Sequence, residues 1–343
     1  MVVTVFFAIL AFAIAFFGTF LLRRYALSVG LMDKPNRRSS HTVAMPRGGG
    51  IAVVASFSIC LSLADLFGLI DSFWLFAALM PAWAVAIVGL IDDLGHVSAR
   101  YRLVIHFSAA AWALSFLVSG HSGFSSAPVA VVLLVSGIVC VSIVWLLNLF
   151  NFMDGIDGIV VVEALSVTVC SLILIAINGG LDVVGFPMSL FLMAMMGFGC
   201  WNFPKAKIFM GDVGSGFVGF AMAIFILVTV LNDLLSVFIW LILLAFFWVD
   251  ATYTLLRRLF TGQNVAEAHR SHAYQILALR WRAHWKVSCT VAAINLFWLF
   301  PLACLANTFV HAEAVSLKLA VLVIAVSPLF FFQVRLRAGE KPC

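Results

Sequence analysis

Charge is scarce in this sequence: Asp, Glu, Lys and Arg make up 10% of 343 residues, against 64% hydrophobic residues and a mean hydropathy of +1.15. A soluble domain carries about 25% charged and about 45–50% apolar residues, so an ordinary soluble enzyme, a disordered chain and a nucleic-acid binder are excluded. Paired cysteines are missing. The seven cysteines stand singly, with no CxxC and no zinc spacing, which argues against a disulfide scaffold and reads them as small buried apolar residues. No internal repeat suggests an inverted-repeat transporter. Also absent are a Gly-Lys-Ser/Thr phosphate loop, an HExxH pair and an EF-hand spacing. The N-terminus lacks a basic region, and Arg23 and Arg24 follow the first apolar stretch instead. That stretch reads as a span rather than a cleaved signal peptide.

What the sequence does have is apolar length. A membrane helix needs about 20 mostly apolar residues. Eleven runs qualify, near 2–22, 50–70, 73–91, 103–119, 129–147, 159–177, 187–201, 215–231, 235–255, 287–306 and 317–334. The fold expected is all-α and polytopic, with about eleven transmembrane helices, a periplasmic N-terminus and a cytoplasmic C-terminus. Basic residues mark cytoplasmic loops, and this topology puts 19 of the 20 Lys and Arg residues inside, with only Lys318 outside. The inner loops 23–49, 92–102, 148–158, 202–214 and 256–286 are longer than the outer ones and hold most of the distinctive polar residues. Function is therefore expected at the cytoplasmic face of a single integral-membrane domain spanning residues 1–343.

Five polar clusters stand in those loops. The first runs from Asp33 to His41 and continues at Pro46-Arg47-Gly48-Gly49-Gly50. It suits anionic lipid headgroups, or an anion held by arginine forks and backbone N–H groups. The second is Asp92-Asp93. Adjacent carboxylates at a membrane boundary stay ionised only with water, a cation or basic neighbours. They read as a solvated helix end, a divalent metal site or a general base. The third, Asn148-Leu-Phe-Asn151-Phe-Met-Asp154-Gly-Ile-Asp157-Gly158, repeats polar residues every third position. Its two glycines suggest that the helix opens so that hard oxygen donors of the kind magnesium prefers converge. The fourth, Asn202 to Gly216, carries Phe209 and one carboxylate, Asp212. Phe209 reads either as interfacial packing or as a face for a nucleobase. The fifth is Glu267-Ala-His269-Arg270-Ser271-His272. Without a Cys partner it reads as donors to phosphate or sugar oxygens rather than as zinc ligands. Asp250 is expected to be buried and paired, and His106 to be a satisfied bundle histidine.

In that order, Asp92-Asp93, the Asn148–Gly158 run, Phe209-Met-Gly-Asp212-Val-Gly-Ser and His269-Arg-Ser-His272 resemble the polyprenyl-phosphate N-acetylhexosamine-1-phosphate transferase family over roughly residues 30–275. The loop around Asn36–His41 and Arg47 resembles its O-antigen-initiating branch. The resemblance implies transfer of a sugar 1-phosphate from a UDP-N-acetylhexosamine to undecaprenyl phosphate, with release of UMP. The donor would be UDP-GlcNAc or a 6-deoxy relative. The cofactor would be magnesium, with manganese as an alternative, and the location the bacterial cytoplasmic membrane. The product would start O-antigen or another envelope polysaccharide. It further implies Asp212 and Asn151 as metal ligands and Asp92 and Asp93 as catalytic residues facing the acceptor phosphate. Phe209 and Asp157 would meet uracil, with Asp154 in the same pocket. His269, Arg270, His272 and Arg47 would contact phosphate or sugar. Leu94-Gly95-His96 follows the paired aspartates where relatives acting on the muramoyl-pentapeptide donor have a lysine. That departure argues against the peptidoglycan substrate and makes Arg100 and Arg102 candidates for the acceptor-phosphate cation. A homodimer stays open. Direct attack by the lipid phosphate on the β-phosphorus is favoured over an aspartyl-phosphate route. The competing classes are a secondary transporter, a membrane phosphohydrolase or CDP-alcohol transferase, and a non-catalytic scaffold.

Overall fold

Apolar side chains on every face of a long segment leave helix as the only structure that satisfies the backbone inside a bilayer. A computed structural model describes residues 2–33, 35, 43–95, 97–119, 127–264, 269–309 and 314–340. Within them, all eleven apolar runs are helical. The stretch Asn36–His41, His96 and Glu267 lie outside the described residues. The helices are α1 Val2–Val29, α2 Gly50–Leu66, α3 Trp74–Leu94, α4 Ala99–Ser119, α5 Val129–Met153, α6 Ile159–Ile177, α7 Leu181–Asn202, α8 Asp212–Leu231, α9 Val237–Leu243, α10 Ala245–Phe260, α11 Ala273–Trp281, α12 His284–Asn307 and α13 Val315–Leu336. Nine of these helices are long and apolar enough to cross a membrane, α9 with α10 makes a tenth if counted as one bent span, and α2 is a shorter apolar helix. The chain is a multi-pass membrane protein.

The ninth run, expected near 235–255, is a broken span: α9 and α10 meet at 78° around Leu244. No Pro or Gly marks that break. The Trp248 indole N–H donates to the Leu241 carbonyl at 2.8 Å, which occupies an acceptor near the break and fits the rule that freed backbone groups in a bilayer find partners. Two other helices carry wide π turns, Trp74–Leu79 and Asn295–Leu299, each followed closely by a proline, Pro81 and Pro301. Proline lacks an N–H and clashes with the preceding turn, and a π turn makes room for it.

The central helix is α8, with 83% of its apolar window buried inside the protein. It packs against α2, α3 and α5. The approach is close enough that a Cβ on Gly50 or Gly214 would run into the other glycine's backbone. A two-residue antiparallel ladder pairs Met32 with Pro46 and Asp33 with Met45. Phe209 N then donates to Pro46 O at 2.8 Å, and Gly49 N and Gly50 N donate to Phe209 O and Met210 O, both at 2.9 Å. The first and fourth inner loops are thus stitched by backbone, with the Arg23 Nε–H donating to Lys207 O at 3.1 Å besides.

Candidate active site

The five expected inner loops meet at one end of the bundle, and that end carries an acidic cavity. The C-terminus of α3 brings Asp92 and Asp93 to the N-terminus of α8. Both Asp93 oxygens accept backbone N–H groups there, from Asp212 and Val213, each at 3.1 Å. A carboxylate on the first turn of a helix meets unpaired donors and the positive end of its dipole. Gly211 is needed at this point: its φ is +78° and a Cβ would collide with the Asp93 carboxylate. The Asp212 side chain is left facing inward. Asn151 and Asp92 both face the Asp212 carboxyl, and Asn151 also donates to Ser215 Oγ at 3.2 Å. Arg102 bridges the two acids, lying 2.6 Å from Asp92 and 3.0 Å from Asp212. Asp92 further accepts the Val97 N–H at 2.8 Å.

The break between α5 and α6 opens as the glycines suggested. Helix α5 stops at Met153 and α6 starts at Ile159, with Gly158 at φ +74°. Gly158 N donates to Asn202 Oδ1 at 3.0 Å, and Asn202 in turn donates to Ile208 O at 3.0 Å. Asn148, first of the polar series, turns back onto its own helix at Val144 O, 2.7 Å away. Asp154 and Asp157 reach the cavity. It holds about 240 Å³ and is lined by Asp93, Asp154, Asp157, Asp212, Arg47 and Phe209, with Asp33, Asn202, Gln275 and His284 completing its polar wall. A second hollow of about 530 Å³ continues past Asp157, Phe209 and His284 towards Lys205, Arg282 and Trp285. Burial and the surrounding Asp212, Asp93 and Asp157 carboxylates push the Asp154 carboxyl well above its ordinary range. Arg47, half-buried, has its Nε without a partner among the described residues.

The late loop is placed differently. His272 is buried and its Nδ1 lies 3.1 Å from Asp250, which is itself fully buried. Asp250 also accepts the backbone N–H groups of Ala273 and Tyr274 at 3.1 and 3.0 Å, so it ties α10 to the start of α11. His269, His272 and Tyr274 stack in a row, with centroids 5.0 and 5.7 Å apart. Tyr274 Oη then donates to Phe152 O at 2.9 Å, beside the α5 break. Among the described lining residues, this segment gives the cavity Gln275 rather than His269, Arg270 or His272. His106 departs from expectation: its Nδ1 is buried without a partner among the described residues. His284 and Gln275 were not singled out in the sequence. Asp157 and His284 are 127 positions apart, and no spacing rule joins residues that far apart.

The donor set suits a hard divalent cation. Asp93, Asp154, Asp157 and Asp212 face one space, and two unit charges 4 Å apart repel by about 4 kcal/mol at an effective dielectric of 20. Among the described residues no three acidic, His or Cys groups form a ready-made cage. Magnesium does not require one, because it keeps waters and commonly binds through one or two carboxylates plus substrate phosphates.

Comparison with known proteins gives one family match and several relatives. The sequence model of glycosyl transferase family 4 matches residues 75–230. A Bacillus subtilis protein named probable undecaprenyl-phosphate N-acetylglucosaminyl 1-phosphate transferase is 29% identical over 75% of this chain and 72% of its own. A Thermotoga maritima undecaprenyl-phosphate alpha-N-acetylglucosaminyl 1-phosphate transferase is 26% identical over 83% of this chain and 85% of its own. A Mycobacterium tuberculosis decaprenyl-phosphate N-acetylglucosaminephosphotransferase is 31% identical over 61% of this chain and 56% of its own.

Proposed function

Since the chain belongs to the polyprenyl-phosphate N-acetylhexosamine-1-phosphate transferases of glycosyl transferase family 4, we propose that it moves an N-acetylhexosamine 1-phosphate from a UDP-sugar to undecaprenyl phosphate, releasing UMP. The observation that carries this reading is the convergence of Asp93, Asp154, Asp157, Asp212, Arg47 and Phe209 on one cavity at an end of a membrane bundle. A water-soluble nucleotide and a lipid acceptor can meet only at such a boundary. The positive-inside distribution of Lys and Arg supports a site facing the cytoplasm in a bacterial inner membrane. The donor is UDP-GlcNAc or a 6-deoxy relative, and the product starts O-antigen or a related envelope polysaccharide.

The reaction sets one phosphate anion against a pyrophosphate, so catalysis is mostly positioning and charge compensation. Asp212 and Asn151 would hold magnesium, with Asp93 and Asp154 beside them. When bound, the ion neutralises the donor pyrophosphate and steadies the leaving UMP. Arg47 offers phosphate oxygens a buried N–H that has no partner among the described residues. Arg102 is the cation nearest Asp92 and suits the incoming lipid phosphate. Asp92 orients that phosphate. Its pairing with Arg102 and the Val97 N–H makes it a poor nucleophile, which supports direct attack on the β-phosphorus over an aspartyl-phosphate. Phe209 gives uracil a stacking face, and Asp157 accepts from its N–H. His269 and Arg270 would meet the sugar or phosphates from the late loop. His272, held by Asp250, serves them from behind.

The test incubates the purified protein with a panel of UDP-sugars, undecaprenyl phosphate and magnesium, and scores UMP release. UMP formation that depends on both substrates is expected. A flat response across the panel overturns the transferase reading, and solute uptake into proteoliposomes without lipid-linked product would favour a transporter instead.

A further inference from the structure

His284 opens α12 and lines both the acidic cavity and the adjoining hollow. Its Nδ1 accepts the Asp157 backbone N–H at 3.4 Å and lies 3.2 Å from Asp157 Oδ1. One turn further, Ser288 Oγ donates to Asp157 O at 2.8 Å. The first turn of α12 therefore grips the Asp157 main chain at both its N–H and its carbonyl. Asp157 sits in the open break between α5 and α6, and its neighbour Gly158 has a left-handed backbone. A carboxylate in such a loop turns freely unless something holds it. The contact also selects a tautomer. A ring that accepts at Nδ1 carries its proton on Nε2, so His284 holds Asp157 by its main chain and leaves the carboxylate to a ligand.

The chemistry of the nucleobase gives that carboxylate a task. Uracil carries an N–H at N3, whereas cytosine carries a lone pair there. An ionised carboxylate only accepts hydrogen bonds. It matches uracil and opposes cytosine, and sites built to pair one hydrogen-bonding group reject the analogue that leaves it unpaired. We propose that His284 is a specificity-determining positioning residue, which takes the Asp157 N–H at Nδ1 and, with Ser288 on the Asp157 carbonyl, fixes where that carboxylate stands, so that the site takes uridine and refuses cytidine nucleotides. The inference rests on the placement of uracil at Asp157 and Phe209 given above.

Binding of UMP and of CMP to the full-length protein in detergent with magnesium, by titration calorimetry, tests this without requiring turnover. The KM and kcat for the UDP-sugar are measured on the same preparations. His284→Ala should weaken UMP about tenfold, leave CMP within about twofold, and raise KM much more than it lowers kcat. Asn and Gln separate the two ring nitrogens. The Asn amide reaches the place of Nδ1, where its oxygen accepts the Asp157 N–H, and the Gln amide reaches that of Nε2, so H284N should restore the preference for UMP and H284Q should not. Rescue by Gln and not by Asn would mean that Nε2 touches the ligand directly, and would overturn the positioning role. Asp157→Asn is the control for the underlying reading. If D157N loses the preference and H284A keeps it, this inference fails alone. If both variants keep it, the placement of uracil fails and takes this inference with it.

Discussion

Asp154 and Asp250 are one residue type put to opposite uses. Asp250 is fully buried, and four donors are aimed at it: the N–H groups of Ala273 and Tyr274, the Thr254 hydroxyl at 3.2 Å and the His272 ring. Asp154 faces three other carboxylates across a cavity. The first is a carboxylate whose charge the protein answers from within. The second belongs to a group whose charge the protein answers only in part, through Arg102 at Asp212 and Arg47 in the lining, and which leaves room for something cationic. Asp93 stands between them, satisfied by the α8 backbone yet lining the same cavity. A buried acid marks a site when its near neighbours share its sign, and marks architecture when donors surround it.

The sharpest way to break this contrast is to neutralise one acid of each kind. Asp212→Asn should cut UMP release by about a thousandfold or more, as loss of a metal ligand at a transferring phosphate would. It should leave the melting temperature near that of the parent, because the like-charge repulsion it removes offsets the lost Arg102 pair. Activity within tenfold of the parent would show that Asp212 is not the main ligand. Asp250→Ala should do the reverse to stability. It strands two buried N–H groups and a buried imidazole, at a cost of about 3 kcal/mol, or roughly 5–10 °C in detergent. An unchanged melting temperature would remove the architectural role.

Much of this was legible in the residues. The apolar runs and the inner-loop motifs stand out because a bilayer imposes length and polarity on any chain that crosses it. Gly155 and Gly158 announced the break at Asp154 and Asp157 for a local reason, and Asp250 was expected to be paired. Three things were not legible. The bend at Leu244 has no Pro or Gly to mark it and depends on tertiary packing. The orientation of Asp93 towards the α8 backbone could not be told from that of Asp92, its neighbour in the chain. The grip of His284 on Asp157 depends on two distant helices meeting. In each case, contact between remote segments decides, and periodicity carries no record of it.

Metal sharpens the comparison further. Magnesium should raise the apparent melting temperature of the protein, since a ligand at 100 times its Kd adds about 2.7 kcal/mol. Asp212→Asn should abolish that rise, while a variant beside Asp250 in α10, such as Thr254→Val, should keep it. Without metal, pH gives the sign. The Asp154 carboxyl is raised in the folded protein, so the folded state holds that proton longer than the unfolded chain does. Stability should therefore be greatest below about pH 4 as far as this group is concerned, and decline as pH rises above the unfolded value. Asp154→Asn should flatten the decline measured in chelator. An unaltered slope would show that the shift lies elsewhere.

The smallest effect concerns how the late loop is held from outside. The chain after α13 turns back on it: Gly339 N donates to Ser271 O at 2.8 Å, between His269 and His272. Gln263 donates to Gly339 O at 2.9 Å, and Arg257 pairs with Glu340 at 2.5 Å. Glu340 is 40% exposed in its side chain, and such a pair contributes less than about 1 kcal/mol. Glu340→Ala should leave UMP release within about twofold of the parent. Gly339 is more demanding. Its φ is +80°, and a Cβ there would press on Arg257 and on the Thr254 carbonyl at 3.1 Å. Gly339→Ala should cost about 1–2 kcal/mol of local stability and speed amide exchange at Ser271 and its neighbours, with little effect at Asp212. Exchange that quickens equally at both places would mean that the tail stabilises the whole bundle rather than the loop.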